Sequence, residues 1–315
     1  MKYIYILILY IFLIQNLLSA NENIENSCKN FVVSPQKEII DSELNEDILF
    51  KTGVLWKITT PKKEINYIYG TIHSQDYLVS KFPYEVESAL IKSNKLILEI
   101  IPDIKASTIY KKHIYFNNGI QLDDLLGEYF FKKLEKQIKY YDLENIELNN
   151  LKYMKPWAAF NIIGRPKTIR APSLESNLLK FAKKMMIEID SLETMNDITS
   201  ALDQLSINDQ LNILKDTICN HNNIANEIKI LINLYLNRDN IGIIKLSNNK
   251  NSKDETYLRY LEKMLYDRNK EMLKKITEEF NEGGAFVAVG ILHLIVKNGL
   301  LKNLQDLDYT IEVIY

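Results

Sequence analysis

Net charge is the first thing this chain lacks. Its 39 lysines and arginines against 41 aspartates and glutamates leave −2 at neutral pH, so there is no basic footprint and no case for a nucleic-acid partner. Cysteine is nearly absent, with only Cys28 and Cys219. An oxidising compartment would permit a disulfide between them, and two free thiols fit the sequence equally well. Long apolar runs are missing after the first twenty residues, so no later stretch reads as a membrane span. There is no HExxH, which excludes a zincin-type peptidase, and no GxSxG elbow to suggest a serine hydrolase. Histidine is scarce too: His73, His113, His221 and His293 are all there are.

What is present begins at the amino terminus. Lys2 precedes an unbroken apolar run from Tyr3 to Ile14, and Leu17-Leu18-Ser19-Ala20 leads into a polar stretch. This is the layout of a secretory signal peptide over residues 1–20, cut after Ala20, and the run is shorter than the ~20 residues a spanning helix needs. The expected product is exported, either periplasmic or secreted, with membrane association left open. Residues 21–49 read as an extension and 50–315 as one domain, although a length prior alone would also allow two.

Two stretches of the domain share one pattern. Tyr67 to His73 reads YIYGTIH, and Ala285 to His293 reads AFVAVGILH. In each, an apolar strand-like run ends at a glycine and a histidine follows three residues later. Glycine there permits a turn through φ > 0 or a close approach by another group. The turn would aim the imidazole beyond the strand's carboxyl end, where open α/β sheets place ligands. The plain alternative is that each is an ordinary core or turn histidine.

The elements between are read as follows. Residues 53–60 and 65–69 form a hairpin, and a helix starts at Pro83. Residues 95–100 form a strand with Glu99 embedded in it. A carboxylate in an apolar strand costs several kcal/mol unless paired, protonated or bound to a metal. It is therefore a salt-bridge partner, a metal ligand or a general base. Apolar spacing predicts one helix over 122–141, another over 173–184, a short strand at 187–190 and helices from 196 to about 245. Residues 247–254 read as a surface loop. A long amphipathic helix over 255–280 carries Arg268 and Asn269, and by pattern alone Arg268 belongs to a solvated face. A helix over 298–307 and a strand over 309–314 close the chain. The expected fold is α/β (α+β): a mixed central sheet built from amino- and carboxyl-terminal βα halves, with a largely helical insertion over about 106–280.

Seven pieces, in order, resemble the TraB/PrgY/GumN family, in the same superfamily as the TIKI proteins of animals. They are GVLWKIT from Gly53, YIYGTIH, KLILEI through Glu99, Lys155-Pro156-Trp157, Leu192-Glu193-Thr194, Arg268-Asn269 and the closing GxxHL from Gly290. The resemblance implies an exported or membrane-associated protein and a metal-dependent peptidase activity on peptide or protein substrates. It implies His73 and His293 as metal ligands, Glu99 as third ligand or general base, and Arg268 with Asn269 shaping the site. Such a donor set suits Zn, Mn, Co or Fe. The chain departs from the family at Leu292, where a small residue is usual, and at Ile295-Val296, where Pro-Gly is common. A non-catalytic protein that binds or sequesters a peptide signal on the same fold is the alternative.

Overall fold

The computed structural model describes residue 28 and residues 49–141, 149–165, 171–248 and 255–315. The expected signal peptide and nearly all of the extension lie outside the described residues. Six strands form one mixed sheet: β1 (Leu55–Thr59), β2 (Ile65–Thr71), β3 (Lys95–Leu98), β4 (Glu188–Ser191), β5 (Ala285–Gly290) and β6 (Thr310–Val313). Their order is β4-β3-β5-β2-β1-β6. The run β4-β3-β5-β2 is parallel, while β1 pairs antiparallel with β2 and β6. The hairpin, the carboxyl-terminal strands and the helical insertion thus form the expected mixed α/β architecture.

Residue type explains the order. Strand β5 is AFVAVG and buried along its whole length, as a central strand between parallel neighbours should be. The edge strand β4 alternates between exposed and half-buried positions and β6 is mostly exposed, and both carry the charges a solvated edge tolerates. Because β2 and β5 are neighbours, Gly70 pairs with Val289 and Thr71 with Gly290. The two GxxH motifs therefore leave the sheet side by side.

Several helices differ from the sequence expectation. The helix expected over 122–141 is two, α3 (Leu122–Leu126) and α4 (Glu128–Ile138). Gly127 between them stands at φ 81 and ψ 153, in a region glycine enters without steric cost, and the chain turns there. The long helix expected over 255–280 is interrupted. Here α10 (Glu255–Leu261) passes through a π turn over Glu262–Tyr266 into α11 (Asp267–Glu282). The strand expected over 95–100 ends at Leu98, so Glu99 lies just past it, its N–H still donating to the Ala288 carbonyl at 3.0 Å. Of the loop expected at 247–254, Ser247 and Asn248 close α9 (Asn240–Asn248); residues 249–254 lie outside the described residues.

The remaining helices named below are α1 (Tyr84–Ile91), α2 (Ile104–His113), α5 (Pro156–Ile163), α6 (Leu174–Lys184), α7 (Met195–Asp203), α8 (Ile207–Leu236), α12 (Ile291–Ile295) and α13 (Leu300–Asp306). Lys155-Pro156-Trp157 is structural. Pro156 opens α5, Trp157 is fully buried, and its indole N–H donates to Asp203 Oδ1 at 2.7 Å. Helix α8 runs 30 residues, about 45 Å at 1.5 Å per residue. Near its carboxyl end Tyr235 donates its hydroxyl to the Gly70 carbonyl at 2.8 Å, bracing the first GxxH turn from below.

Cys28 and Cys219 form a disulfide, tying the start of the described chain to the middle of α8 across 191 positions. The bridge restricts the unfolded chain over a very long loop, which is where cross-links matter most. Replacing both cysteines by serine is expected to lower unfolding free energy by about 2–5 kcal/mol, read from urea titrations of the oxidised wild type and the double variant. Coincident curves would mean that the bridge adds nothing to the fold.

Candidate functional site

Each of the four parallel strands delivers one ionisable side chain just past its carboxyl end. Glu193 follows β4, Glu99 follows β3, His293 follows β5 and His73 follows β2. Since the strands are neighbours in that order, the side chains are brought to one edge of the sheet, where open α/β folds hold ligands.

Arg268 enters this edge from α11. The π turn before it shifts backbone pairing to Asp267 N–H with Glu262 O, and the Met264 carbonyl accepts Arg268 Nη1 at 2.9 Å. Arg268 Nη2 donates to Glu99 Oε1 and, at 2.6 Å, to Glu193 Oε2. Its Nε donates to Glu193 Oε1 at 3.0 Å. Arg268, Glu99 and Glu193 are all nearly inaccessible to water. Arg268 is therefore no member of a solvated face, as its helix pattern had indicated, but the cation between two buried carboxylates. Removing one partner from such a buried group costs about 3–5 kcal/mol.

Burial opposes ionisation of Glu99, but the Arg268 charge and the nearby histidines hold its carboxyl well below the usual range. Burial instead dominates at Glu193 and pushes it up against the pull of Arg268. Glu99 Oε2 also accepts the Gly290 N–H at 3.1 Å, so the glycine of the second motif feeds the carboxylate directly.

The two imidazoles are held in different ways. Asn269 Nδ2 donates to the His293 carbonyl at 3.1 Å, leaving Asn269 Oδ1 to face His293 Nδ1 at 2.6 Å. An amide oxygen only accepts, so Nδ1 carries the proton and Nε2 keeps its lone pair. Burial and then the Arg268 charge push His293 down to about 3, so it is neutral. His73 Nδ1 sits 2.9 Å from Glu175 Oε1, and its Nε2 is 3.6 Å from Glu99 Oε2. Burial alone would lower His73, but Glu175 and Glu99 outweigh it and raise it to about 10. Both Nε2 atoms are buried without a hydrogen-bond partner among the described residues. Also among the described residues, no three His, Cys, Asp or Glu side chains stand in a metal-holding arrangement. A groove of about 570 Å³ between α7 and α11 reaches Glu193 and Arg268 from outside.

Gly70 and Gly290 do not use the left-handed region; neither has positive φ. Gly70 is there for space: a Cβ on it would stand 2.2 Å from Ile291 Cδ1 and 3.3 Å from Ile291 Cα. The two GxxH turns pack against each other at that point.

The protein-family model described as the TraB/PrgY/gumN family matches residues 54–313. The chain belongs to the TraB/PrgY/gumN family. No curated protein and no solved structure matches it.

In this TraB/PrgY/gumN family member, the five residues singled out from sequence, His73, Glu99, Arg268, Asn269 and His293, stand around one edge of the sheet. Two others were not singled out. Glu193 was visible in the Leu192-Glu193-Thr194 piece of the resemblance but with no role attached, and its neighbour Arg268 is 75 positions away. Glu175 lies in the first turn of α6, where an acidic residue is an ordinary complement to the helix dipole. Its orientation toward His73 had no signature in the sequence. The other histidines serve the scaffold: His221 Nε2 pairs with the Tyr141 hydroxyl at 2.9 Å and His113 Nδ1 lies 3.2 Å from Thr199 Oγ1.

The opposite shifts of the histidines give metal-free protein a definite pH profile. His73, raised from 6.5 to about 10, contributes stability fully below 6.5 and loses it as pH climbs toward 10. His293, lowered from 6.5 to about 3, contributes above 6.5 and loses it as pH falls, and Glu99, also lowered, adds to the acid loss. Urea midpoints in the presence of a chelator are expected to peak near neutrality and to decline on both sides. In His73→Gln the alkaline decline should disappear. A wild-type midpoint that is constant between pH 7 and 9 would show that His73 is not held as an imidazolium.

Proposed function

We propose that this chain is an exported, metal-dependent hydrolase of peptide or protein substrates, with His73 and His293 holding the metal and Glu99 as third ligand or general base. The observation that carries the reading is the pair of buried Nε2 atoms that make no hydrogen bond among the described residues. Each imidazole is fixed through its other nitrogen, His73 by Glu175 and His293 by Asn269. Metal-ligating histidines are oriented in this manner by a carboxylate or other acceptor behind them. Charge supports a dication. Glu99, Glu175 and Glu193, when ionised, carry three negative charges against the one positive charge of Arg268, so two remain once His73 is neutral.

Imidazole and carboxylate donors suit Zn, Mn, Co or Fe. A bound ion of this kind lowers the pKa of a coordinated water toward neutrality and polarises a carbonyl. The chain's own side chains do the remainder. Glu175 orients His73 and balances its charge; to hold a metal His73 would have to be neutral, so uptake would strengthen with rising pH. Glu99 Oε2, the oxygen that Arg268 leaves to Gly290 and His73, would be the atom to serve as ligand or base. Arg268 uses its donors inside the network and so holds Glu99 ionised and in place.

Two observations favour the non-catalytic reading, a peptide-binding protein on this fold. Arg268 already pairs with both Glu99 and Glu193, and Leu292 and Ile295 fill the second turn with buried apolar bulk. Export is supported by the Cys28–Cys219 disulfide, since such bridges persist in oxidising compartments. Among the described residues no helix is long and apolar enough to cross a membrane.

Purified protein is expected to carry one transition-metal ion per chain, measured by elemental analysis. His73→Ala, His293→Ala and the double variant should each lose it, with peptide turnover as low in either single as in the double, because residues acting as one unit are not additive. Glu175→Gln should weaken metal affinity about 10–100-fold. Full metal content in either single histidine variant would remove the shared site. The exported protein's amino terminus is expected at Asn21 or within a few residues of it; mass spectrometry finding Met1 retained would refute cleavage.

A further inference from the structure

A second cavity, of about 530 Å³, lies where the loop after His73 meets α6. Its apolar walls are Tyr77 from that loop, Phe82 and Phe181, the two phenyl rings meeting edge to face at 5.6 Å. Asn177, Phe181 and Lys184 recur at helical spacing, so they line one stripe of α6 toward the cavity. Asn177 Nδ2 donates to the Ser80 carbonyl at 2.6 Å, and Ala171 N–H donates to the Gln75 carbonyl at 3.1 Å. These bonds fasten the loop to the helix, so the walls are held in place without a ligand.

The rim is unequal in charge. Lys81, Lys180 and Lys184 surround the opening against a single Glu87, and none of the three lysines has an ion pair among the described residues. Tyr77 is 61 % exposed, so its ring is open to a ligand at the mouth of the cavity. The same segments also build the candidate site. Tyr77 is four residues after His73, and Glu175, which touches His73, is six residues before Phe181 on α6. Six residues of helix span about 9 Å, the reach of about three residues of extended peptide.

We infer that this cavity binds the apolar residue of a peptide at a position flanked by a carboxylate, either the peptide's carboxyl terminus or a neighbouring acidic side chain. The aromatic walls take the side chain, and Lys81, Lys180 and Lys184 take the negative charge. The inference rests on the peptide reading of the site but not on catalysis, so binding is measured separately from turnover.

The probe is a dye-labelled alanine tetrapeptide ending in phenylalanine, titrated by fluorescence anisotropy against full-length mature protein. It is tested with a free carboxylate, as the carboxamide, and as the carboxamide with glutamate before the phenylalanine. On wild type the free acid is expected to bind about tenfold tighter than the plain carboxamide. Recovery of affinity by the glutamate peptide assigns the charge to an acidic neighbour, and no recovery assigns it to the chain terminus. Lys180→Glu with Lys184→Glu, both exposed positions, should abolish the preference with the thermal midpoint unchanged, and Phe181→Ser should weaken all three probes. Wild type treated with a chelator should bind the probes as untreated protein does even if no hydrolysis is ever found, which separates this inference from the catalytic one. Equal binding of acid and carboxamides to wild type, an unchanged preference in the double lysine variant, or no binding at millimolar peptide would overturn it.

Discussion

One guanidinium, buried with two carboxylates, sets the constraint on which the site depends. Strands β3 and β4 are parallel neighbours, so the glutamates that follow them, Glu99 and Glu193, emerge side by side and both are buried. Two carboxylates so placed would repel each other and be costly to bury. Arg268 removes both problems, because its planar fork reaches Glu99 with one nitrogen and Glu193 with two. A lysine has no such fork. The π turn that precedes Arg268 sets how α11 presents it to the sheet, and π turns recur at functional positions in helices.

From that constraint follows the difference between the two histidines. They come from matched motifs on adjacent strands, yet His73 is raised to about 10 and His293 lowered to about 3. The motif does not decide this; the neighbours do. His73 stands between the carboxylates of Glu175 and Glu99, whereas His293 is fully buried, backed by a neutral amide and exposed to the Arg268 charge. Pairs of groups whose surroundings drive their proton affinities apart are how one pocket holds both a proton donor and an acceptor near neutral pH.

The scaffold protects this arrangement from several directions at once. Tyr235 reaches up from the long helix α8 to the carbonyl of Gly70, and the disulfide fixes the middle of the same helix to Cys28. Gly70 lets Ile291 of the second motif pack directly against the first. The consequence is that the relative placement of the two histidine turns is a property of packing around β2 and β5, two strands drawn from opposite ends of the chain.

The local elements were legible because their signals are local. Alternation and apolar runs marked the hairpin and β5; Ser173 marked the start of α6, and the repeated strand–Gly–x–x–His pattern marked both turns. The single carboxylate closing an apolar run drew attention to Glu99 for a sound reason, the cost of burying it. Gly127 was missed as a helix break because the apolar stripe of α3 continues in phase into α4, and only the backbone shows φ 81 there. Arg268 looked like one charge among many on an amphipathic helix, and Glu175 like an ordinary first-turn acid. What the sequence by itself determined was therefore the set of strands and turns, and which of them end in histidine. Tertiary structure alone decided that β5 inserts between β3 and β2, that Glu175 meets His73, and that Arg268 pairs with both Glu99 and Glu193. Strand order depends on which faces can be buried together, and a side chain's charge state depends on the partners and water exclusion that this burial creates.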